Sequence, residues 1–388
     1  MKLLVMSSRV PWPLDKGDKL RMYHQIRCLS EDNEVYLIAV SDKKDNSVAH
    51  KELGKYCKQV HLLYNSRLSI AKGLASSLFG SNPLQIGYFY NKEIAQKVNS
   101  LVKEIKPNHI YGQLIRVAEY LKHFDKPKTL DLQDAFSAGL KRRLDKSSGI
   151  YKQILKMEYR RVLEYETNSI DSFDFLTIIT QADKELLDSK IQTRVSIVPN
   201  GVDTDFFKPI VAEKKYDLVF TGNMSYPPNV DAAMFLVKKI MPLVWKEKPN
   251  VKVLIAGSSP SIKVKDLETD NVKISGWMDD IRDAYSQSKV FIAPMQIGTG
   301  LQNKLLEAMA MKIPSITSDL ANMALKAEDG KEILVSDKKN PQMFADSIMR
   351  LLSDEKLRND IVNNAYAFVV RKYNWQASAD ILNRLWKS

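Results

Sequence analysis

Between residues 296 and 319 the chain reads QIGTGLQNKLLEAMAMKIPSITSD. This is a glycine turn followed by a helix that carries one cation and one carboxylate in its first two turns. Gly298 and Gly300 let a backbone bend sharply and approach a ligand with no Cβ in the way. The first free amides of a helix, with the helix dipole behind them, favour an anion. Lys304 stands where an ammonium reaches a diphosphate oxygen. Glu307, further along the helix, offers a carboxylate to two hydroxyl donors, as the vicinal diol of a ribose would supply. The alternative is an i,i+3 Lys304–Glu307 pair on a solvated helix face, worth about 0.2–0.5 kcal/mol.

Other strand-end turns carry polar groups of the same kind. FTGNMSYPPN (220–229) puts Gly222, Asn223 and Ser225 where doubly wound sheets bind ligands, although turn chemistry accounts for Asn223 and Ser225 equally well. Gly257 and the Trp277-Met278 loop end two further strands, and Trp277 could equally serve packing. RVPWPLDKGDKLRMYHQI (9–26) supplies a turn at Gly17, an expected N-cap at Asp18, and Lys19 and Arg21 at the helix start. Cations there oppose the helix dipole, so a nearby anion would account for them; the alternative is a solvated basic face. Asp131 and Asp134 follow a strand in TLDLQDAF, and Arg116 follows YGQLI. Asp134 is a candidate base or orienting group, with a helix N-cap as its other reading.

The five histidines, His24, His50, His61, His109 and His123, show no metal-ligand spacing. Asp279 and Asp280 read as helix-capping acids, so no metal is expected. Two cysteines, Cys28 and Cys57, suit a reducing compartment and cannot frame a small disulfide scaffold.

The elements that must position these groups alternate as strand and helix, twice over. Apolar runs at 2–8, 34–40, 59–64, 109–114, 128–132, 175–180 and 195–199 read as buried parallel strands. So do those at 217–222, 252–257, 272–276, 290–294, 314–318 and 332–336. Helical periodicity is clear at 19–30, 92–105, 230–246, 300–311, 341–353 and 355–372. The expected fold class is α/β, two Rossmann-like doubly wound domains at 1–198 and 210–370. PNGVDTDFFKPIVAEKK marks a linker over 199–209, and residues 371–388 are expected to form a helix returning to the first domain.

A chain of 388 residues with 44% hydrophobic and 27% charged residues is long enough for two cores. The net charge is +12, shared as +7 over residues 1–205 and +5 beyond. That excess suits phosphorylated ligands, anionic lipid or nucleic acid, but no nucleic-acid motif is recognisable. The opening MKLLVMSSRVPWP fails as a signal peptide, and no apolar run approaches the roughly 18–20 residues of a membrane span. A cytoplasmic protein is expected, either free or peripheral on the inner face of the cytoplasmic membrane. The segment 65–93, with Leu74, Leu78, Phe79, Arg67 and Lys72, reads either as a bilayer-facing surface or as a core helix and loop.

Two such halves, PNGVD at their junction and KLLEAMAMKIPSI in the second, resemble the retaining GT-B glycosyltransferases of the family-4 type, glycosyltransferase group 1. PWPLDKGDKLR, FTGNMSYPPNVDA, GWMDDIRDAY and PMQIGTGLQNKLLEAMAM resemble a bacterial sugar-transferase subgroup. The resemblance implies two domains facing a cleft, with the acceptor held by the first and a nucleotide-diphosphate sugar, UDP- or GDP-type, by the second. It implies sugar transfer with retained configuration to a glycan or lipid-linked saccharide, in surface polysaccharide or glycoprotein assembly. No cofactor is implied.

Under that resemblance the donor contacts are Gly222, Asn223, Ser225, Gly257, Trp277, Met278, Gly298, Thr299, Gly300, Leu301, Lys304 and Glu307, with Glu307 on the ribose. Gly17, Asp18, Lys19, Arg21 and Asp131 fall to the acceptor or a phosphate, and Asp134, Lys304 and Arg116 to catalysis. One departure is visible. The broader family carries a glutamate eight residues before the position of Glu307, and Thr299 stands there. Alternatives to transfer are a sugar-nucleotide epimerase on the same fold and, more weakly, a basic nucleic-acid-binding protein.

Overall fold

The computed structural model describes residues 1–145, 147–298 and 300–387. Thr299, expected to read the donor sugar, lies outside the described residues. The chain forms two compact units, one of residues 1–199 with 378–388 and the other of residues 200–377.

In the first unit seven strands lie in one parallel sheet: β1 (Lys2–Ser7), β2 (Glu34–Ser41), β3 (Gln59–Tyr64), β4 (His109–Gln113), β5 (Lys128–Gln133), β6 (Phe175–Ile178) and β7 (Val195–Ile197). Their order is β3-β2-β1-β4-β5-β6-β7. The chain grows outward from β1 in one direction, then returns and grows in the other. The reversal between β1 and β4 opens a crevice beyond their carboxyl ends, the usual ligand position in such sheets. Leu3, Leu4, Val5 and Met6 are fully buried, which is why the strand is a continuous apolar run rather than an alternating one.

The second unit repeats the plan with six strands: β8 (Tyr216–Thr221), β9 (Val253–Ala256), β10 (Val272–Gly276), β11 (Ser288–Ala293), β12 (Ser315–Ser318) and β13 (Leu334–Ser336). The order β10-β9-β8-β11-β12-β13 reverses between β8 and β11. The turns after these two strands are FTGN and APMQIGTG, so the topology brings both glycine turns to one crevice.

The helices near the second crevice differ from the sequence reading in two places. Residues 227–247 are helical throughout, but Leu236–Ile240 form a π turn just before Pro242. Pro242 has no amide hydrogen to donate, and a wider turn there absorbs the missing bond. The helix after β11 starts at Asn303, not at the glycines, so Gly298 and Gly300 sit in a longer loop.

Residues 200–209 are not a free linker. Val202 pairs with Asn374, its amide donates to the backbone oxygen of Tyr373 at 2.8 Å, and Phe207 is buried against Tyr285. Residues 371–377 stay with the second unit. Beyond them Trp386 donates its indole N–H to Thr129 Oγ1 at 2.8 Å and stacks 4.8 Å from His109, both in the first sheet.

The segment 65–93 forms helices Arg67–Phe79 and Leu84–Phe89. They touch through glycines: a Cβ at Gly73 would stand 2.1 Å from the carbonyl oxygen of Gly87. Along Arg67–Phe79 only Ser77 is buried, which removes the core-helix reading. No described helix is long and apolar enough to cross a membrane.

Candidate functional site

In the second unit Lys304 and Glu307 are both partly exposed on the helix Asn303–Ala310. They do not form the i,i+3 pair. Lys304 Nζ donates to Asn229 Oδ1 at 2.6 Å and lies 4.7 Å from the centre of the Phe220 ring. Asn229 in turn donates to the backbone oxygen of Asn223 at 2.9 Å. The ammonium is therefore delivered to the end of β8, where a Cβ at Gly222 would come within 3.0 Å of it. Gly222 has φ 153 and Gly257 φ 140; a Cβ on Gly257 would meet the Gly222 oxygen at 1.8 Å. Two strand ends close this tightly only because both residues lack a side chain.

Glu307 Oε2 accepts from the Tyr285 hydroxyl at 2.7 Å, and Thr221 Oγ1 lies 2.8 Å from the same hydroxyl. Because the tyrosine proton points to the carboxylate, Thr221 is the donor to Tyr285. Glu307 Oε1 has no hydrogen-bond partner among the described residues. Tyr285 is fully buried, so this chain holds the carboxylate in one orientation with an oxygen to spare. Burial raises the Glu307 carboxyl above its ordinary value, opposed by the Tyr285 hydroxyl and by Lys304. Burial pushes the Lys304 ammonium down to about 7, with Glu307 pulling it back up.

The remaining second-unit candidates divide. Gly298, at φ 100, takes a backbone conformation that other residues rarely adopt, and Gly300 follows it. The helix start has no side-chain cap, which leaves its first amides for another acceptor. Leu301 and Met278 pack against the core, and Trp277 is exposed with its indole N–H on Asp279 at 3.3 Å. Asn223 Oδ1 accepts from the Ser225 amide and hydroxyl at 2.9 and 2.7 Å, an ordinary turn. Asp280 is held by the Arg282 guanidinium and by its backbone amide. Asn229 and Tyr285 were missed as functional residues. Both stand inside motifs quoted above, but neither position shows a local signal of its role.

In the first unit two expected ligand-binding residues prove to hold each other. Arg21 and Asp131, both at 0% exposure, pair through Nε–Oδ2 at 2.8 Å and Nη2–Oδ1 at 2.9 Å. Thr177 Oγ1 adds a third bond to Asp131 at 2.8 Å. Neither can reach an acceptor or a phosphate. Asp18 is not the N-cap: Lys16 occupies that position without a side-chain bond, and the helix starts at Gly17. Asp18 instead takes Arg9 Nη1 at 2.6 Å, with Arg116 Nη1 at 3.9 Å. Lys19 pairs with Asp15 at 2.8 Å.

Arg116 lies between the Phe89 and Phe136 rings, at 4.8 and 5.3 Å, and donates from Nε to Gln85 at 3.2 Å. Burial and the nearby Arg9 push it down to about 10, so it stays charged at neutral pH. Asp134 does not cap the helix Phe136–Asp145. The buried Glu166 carboxylate does, accepting the Ser137 amide at 3.2 Å. Asp134 is exposed, yet the surrounding protein and then Asp183 lift its carboxyl to about 6.

Beside β1 and β2 lies a pocket of about 530 Å³ that contains Trp12, Lys16, Lys19, Lys43, Tyr88 and Phe89. Asp42 and Asp45 line it too, so its charge is mixed, and aromatic faces among polar groups suit a sugar. Among the described residues no three His, Cys, Asp or Glu side chains gather in a metal-binding arrangement.

Residues 215–354 match the family model of glycosyl transferases group 1. That segment contains the whole crevice between β8 and β11. Across the full length the chain is 23% identical to an uncharacterized 44.6 kDa protein of the cps region of Klebsiella pneumoniae, covering 96% of each. It is 25% identical to the UDP-Gal:alpha-D-GlcNAc-diphosphoundecaprenol alpha-1,3-galactosyltransferase of Escherichia coli, over 54% of this chain and 59% of that one. The solved structure of Anabaena HepE in complex with UDP and glucose superposes with a TM-score of 0.69 at 15% identity, covering 100% of both chains. The fold is α/β of the GT-B kind, built from two Rossmann-like units. The matches support glycosyltransferase activity.

A lysine poised near neutrality makes anion binding pH-dependent. A bound diphosphate stabilises the ammonium, so the complex holds more protons than the free protein above pH 7. Nucleoside diphosphate affinity is expected to fall as pH rises from about 7, by up to about tenfold per unit. Calorimetric titration with UDP and GDP across that range checks the slope, and Lys304→Arg should flatten it.

Proposed function

We propose that the chain is a retaining, metal-independent glycosyltransferase. It moves a sugar from a UDP- or GDP-type donor to a glycan or lipid-linked saccharide, in bacterial surface polysaccharide or glycoprotein assembly. The observation that carries this reading is the delivery of Lys304 and Glu307 to one strand-end crevice, the ammonium by Asn229 and the carboxylate by Tyr285. Lys304 and the uncapped helix amides hold the diphosphate, and Glu307 Oε1 accepts from the ribose. In transfer the anomeric carbon–phosphate oxygen bond breaks as the acceptor oxygen bonds to the same face. The departing diphosphate takes the acceptor proton, so no enzymic nucleophile is required. The chain's work is to position both substrates and stabilise the leaving charge.

Thermal-shift titration with UDP, GDP and their sugars tests the donor site, because a ligand of the folded state raises its melting point. The expected result is a rise with one base and not the other, undiminished by EDTA. A melting point unmoved by all of them removes the reading, and a shift that needs added Mg²⁺ or Mn²⁺ removes metal independence. The anomeric configuration of the product, read by NMR, tests retention.

For the acceptor we propose the pocket beside β1 and β2, with a lipid-linked acceptor that places the enzyme at the cytoplasmic face of a membrane. Trp12→Ala is expected to raise the acceptor KM by about tenfold while leaving donor affinity unchanged. Steady-state kinetics with each substrate varied in turn separates the two.

A further inference from the structure

The net charge is not spread evenly once position is considered. From Lys141 to Arg161 eight Lys or Arg stand against two Asp or Glu, a surplus equal to half of the chain's formal +12. The helix Gly149–Ser169 begins inside this stretch, and its first six residues are all exposed, on every side of the helix. A helix start this exposed normally carries polar residues. Here it carries Ile150 at 83% exposure, Tyr151 at 60% and Ile154 at 46%, with Met157 continuing the line.

Ile150, Ile154 and Met157 follow i, i+4, i+7 spacing and share one side, while Lys152, Lys156 and Arg160 share another. An apolar line with cations beside it is the pattern of a helix lying in a bilayer interface. A second exposed apolar group is carried by a segment bonded to the same helix. Arg161 Nη1 donates to the backbone oxygen of Ser77 at 2.8 Å, and Glu158 accepts the Leu84 amide at 2.9 Å. These bonds fix the end of helix Arg67–Phe79 against the helix just beyond Met157, and Phe79 there is 94% exposed.

We infer that the exposed turns at Gly149–Met157, together with Phe79 on the helix bonded just beyond them, dock on an anionic lipid bilayer. The inference deepens the lipid-linked-acceptor reading and rests on it for the choice of partner. Lysine and arginine meet the negative surface while Ile150, Ile154 and Phe79 enter the acyl boundary. Aliphatic Ile150 and Ile154 have nothing to meet on a nucleic-acid backbone, which favours lipid over a polynucleotide.

Co-sedimentation of the full chain with phosphatidylglycerol–phosphatidylcholine vesicles, against phosphatidylcholine alone, tests this. The chain is expected to pellet with the anionic vesicles, less so at high salt. Ile150→Ser with Ile154→Ser, and separately Lys152→Glu with Lys156→Glu, should each weaken binding about tenfold or more. Melting point and nucleotide-sugar shift should stay at wild-type values, since none of these side chains is buried. Wild-type chain that stays in the supernatant overturns the inference, and so do variants that pellet as wild type. Tighter binding to duplex DNA than to vesicles does so as well. A chain that pellets but shows no shift with any nucleotide sugar would instead overturn the transferase reading and leave this one standing.

Discussion

Lys304→Ala is expected to lower the rate of sugar transfer by about two to three orders of magnitude. The leaving diphosphate gains charge as the anomeric bond breaks, and the ammonium carried to the end of β8 by Asn229 is the cation that the crevice supplies there. The effect should fall mainly on kcat, with a smaller loss in nucleotide affinity, because the charge being met is largest in the transition state. Stability should not suffer in proportion. Burial already pushes this ammonium down to about 7, so keeping it charged costs the folded state something. Lys304→Met, which keeps the stem, is expected to melt at or above the wild-type temperature while remaining slow. Single-turnover kinetics beside a melting curve checks both halves. A rate within threefold of wild type would sink the assignment.

The second large effect is on stability. Asp131→Ala is expected to cost about 3–5 kcal/mol of folding free energy, because it takes the counter-charge from a guanidinium that has no access to water. Thr177 would lose its acceptor at the same time. The paired replacement Arg21→Met with Asp131→Leu should recover most of the loss, since it removes both charges. Urea denaturation of the three proteins measures this. If Asp131→Ala instead folded normally and raised the acceptor KM, these two residues would return to the acceptor site.

The contrast between the two predictions shows what kind of information the residues carried. The thirteen strands among the described residues were legible, the central ones because a strand buried on both faces, such as β1, is a nearly unbroken apolar run. The crevice between β8 and β11 followed from the glycine turns at strand ends. Arg21 and Asp131 were not legible, because 110 residues separate them and only the β1–β4–β5 neighbourhood brings them together. A cation at a helix start looks the same in sequence whether it faces a ligand or a buried acid. The cap of helix Phe136–Asp145 comes from Glu166 on the next helix, so the local candidate Asp134 was the wrong one. Tyr285 was hidden for the same reason: its partners Thr221 and Glu307 lie on two other elements. The charge surplus at 141–161 was countable, but only exposure on every side of a helix start distinguishes it from an ordinary solvated face.

The return of the chain to its first sheet bears on how the protein is made. Thr129 and its partner Trp386 are 257 residues apart, and the indole also covers His109. During synthesis the first sheet emerges early and must wait, with the starts of β4 and β5 lacking this cover, until nearly the whole second unit has followed. The unit synthesised first is therefore the one completed last, and contacts of such sequence separation form slowly. A nascent chain stalled before Trp386 should be more protease-sensitive in the first unit than in the second.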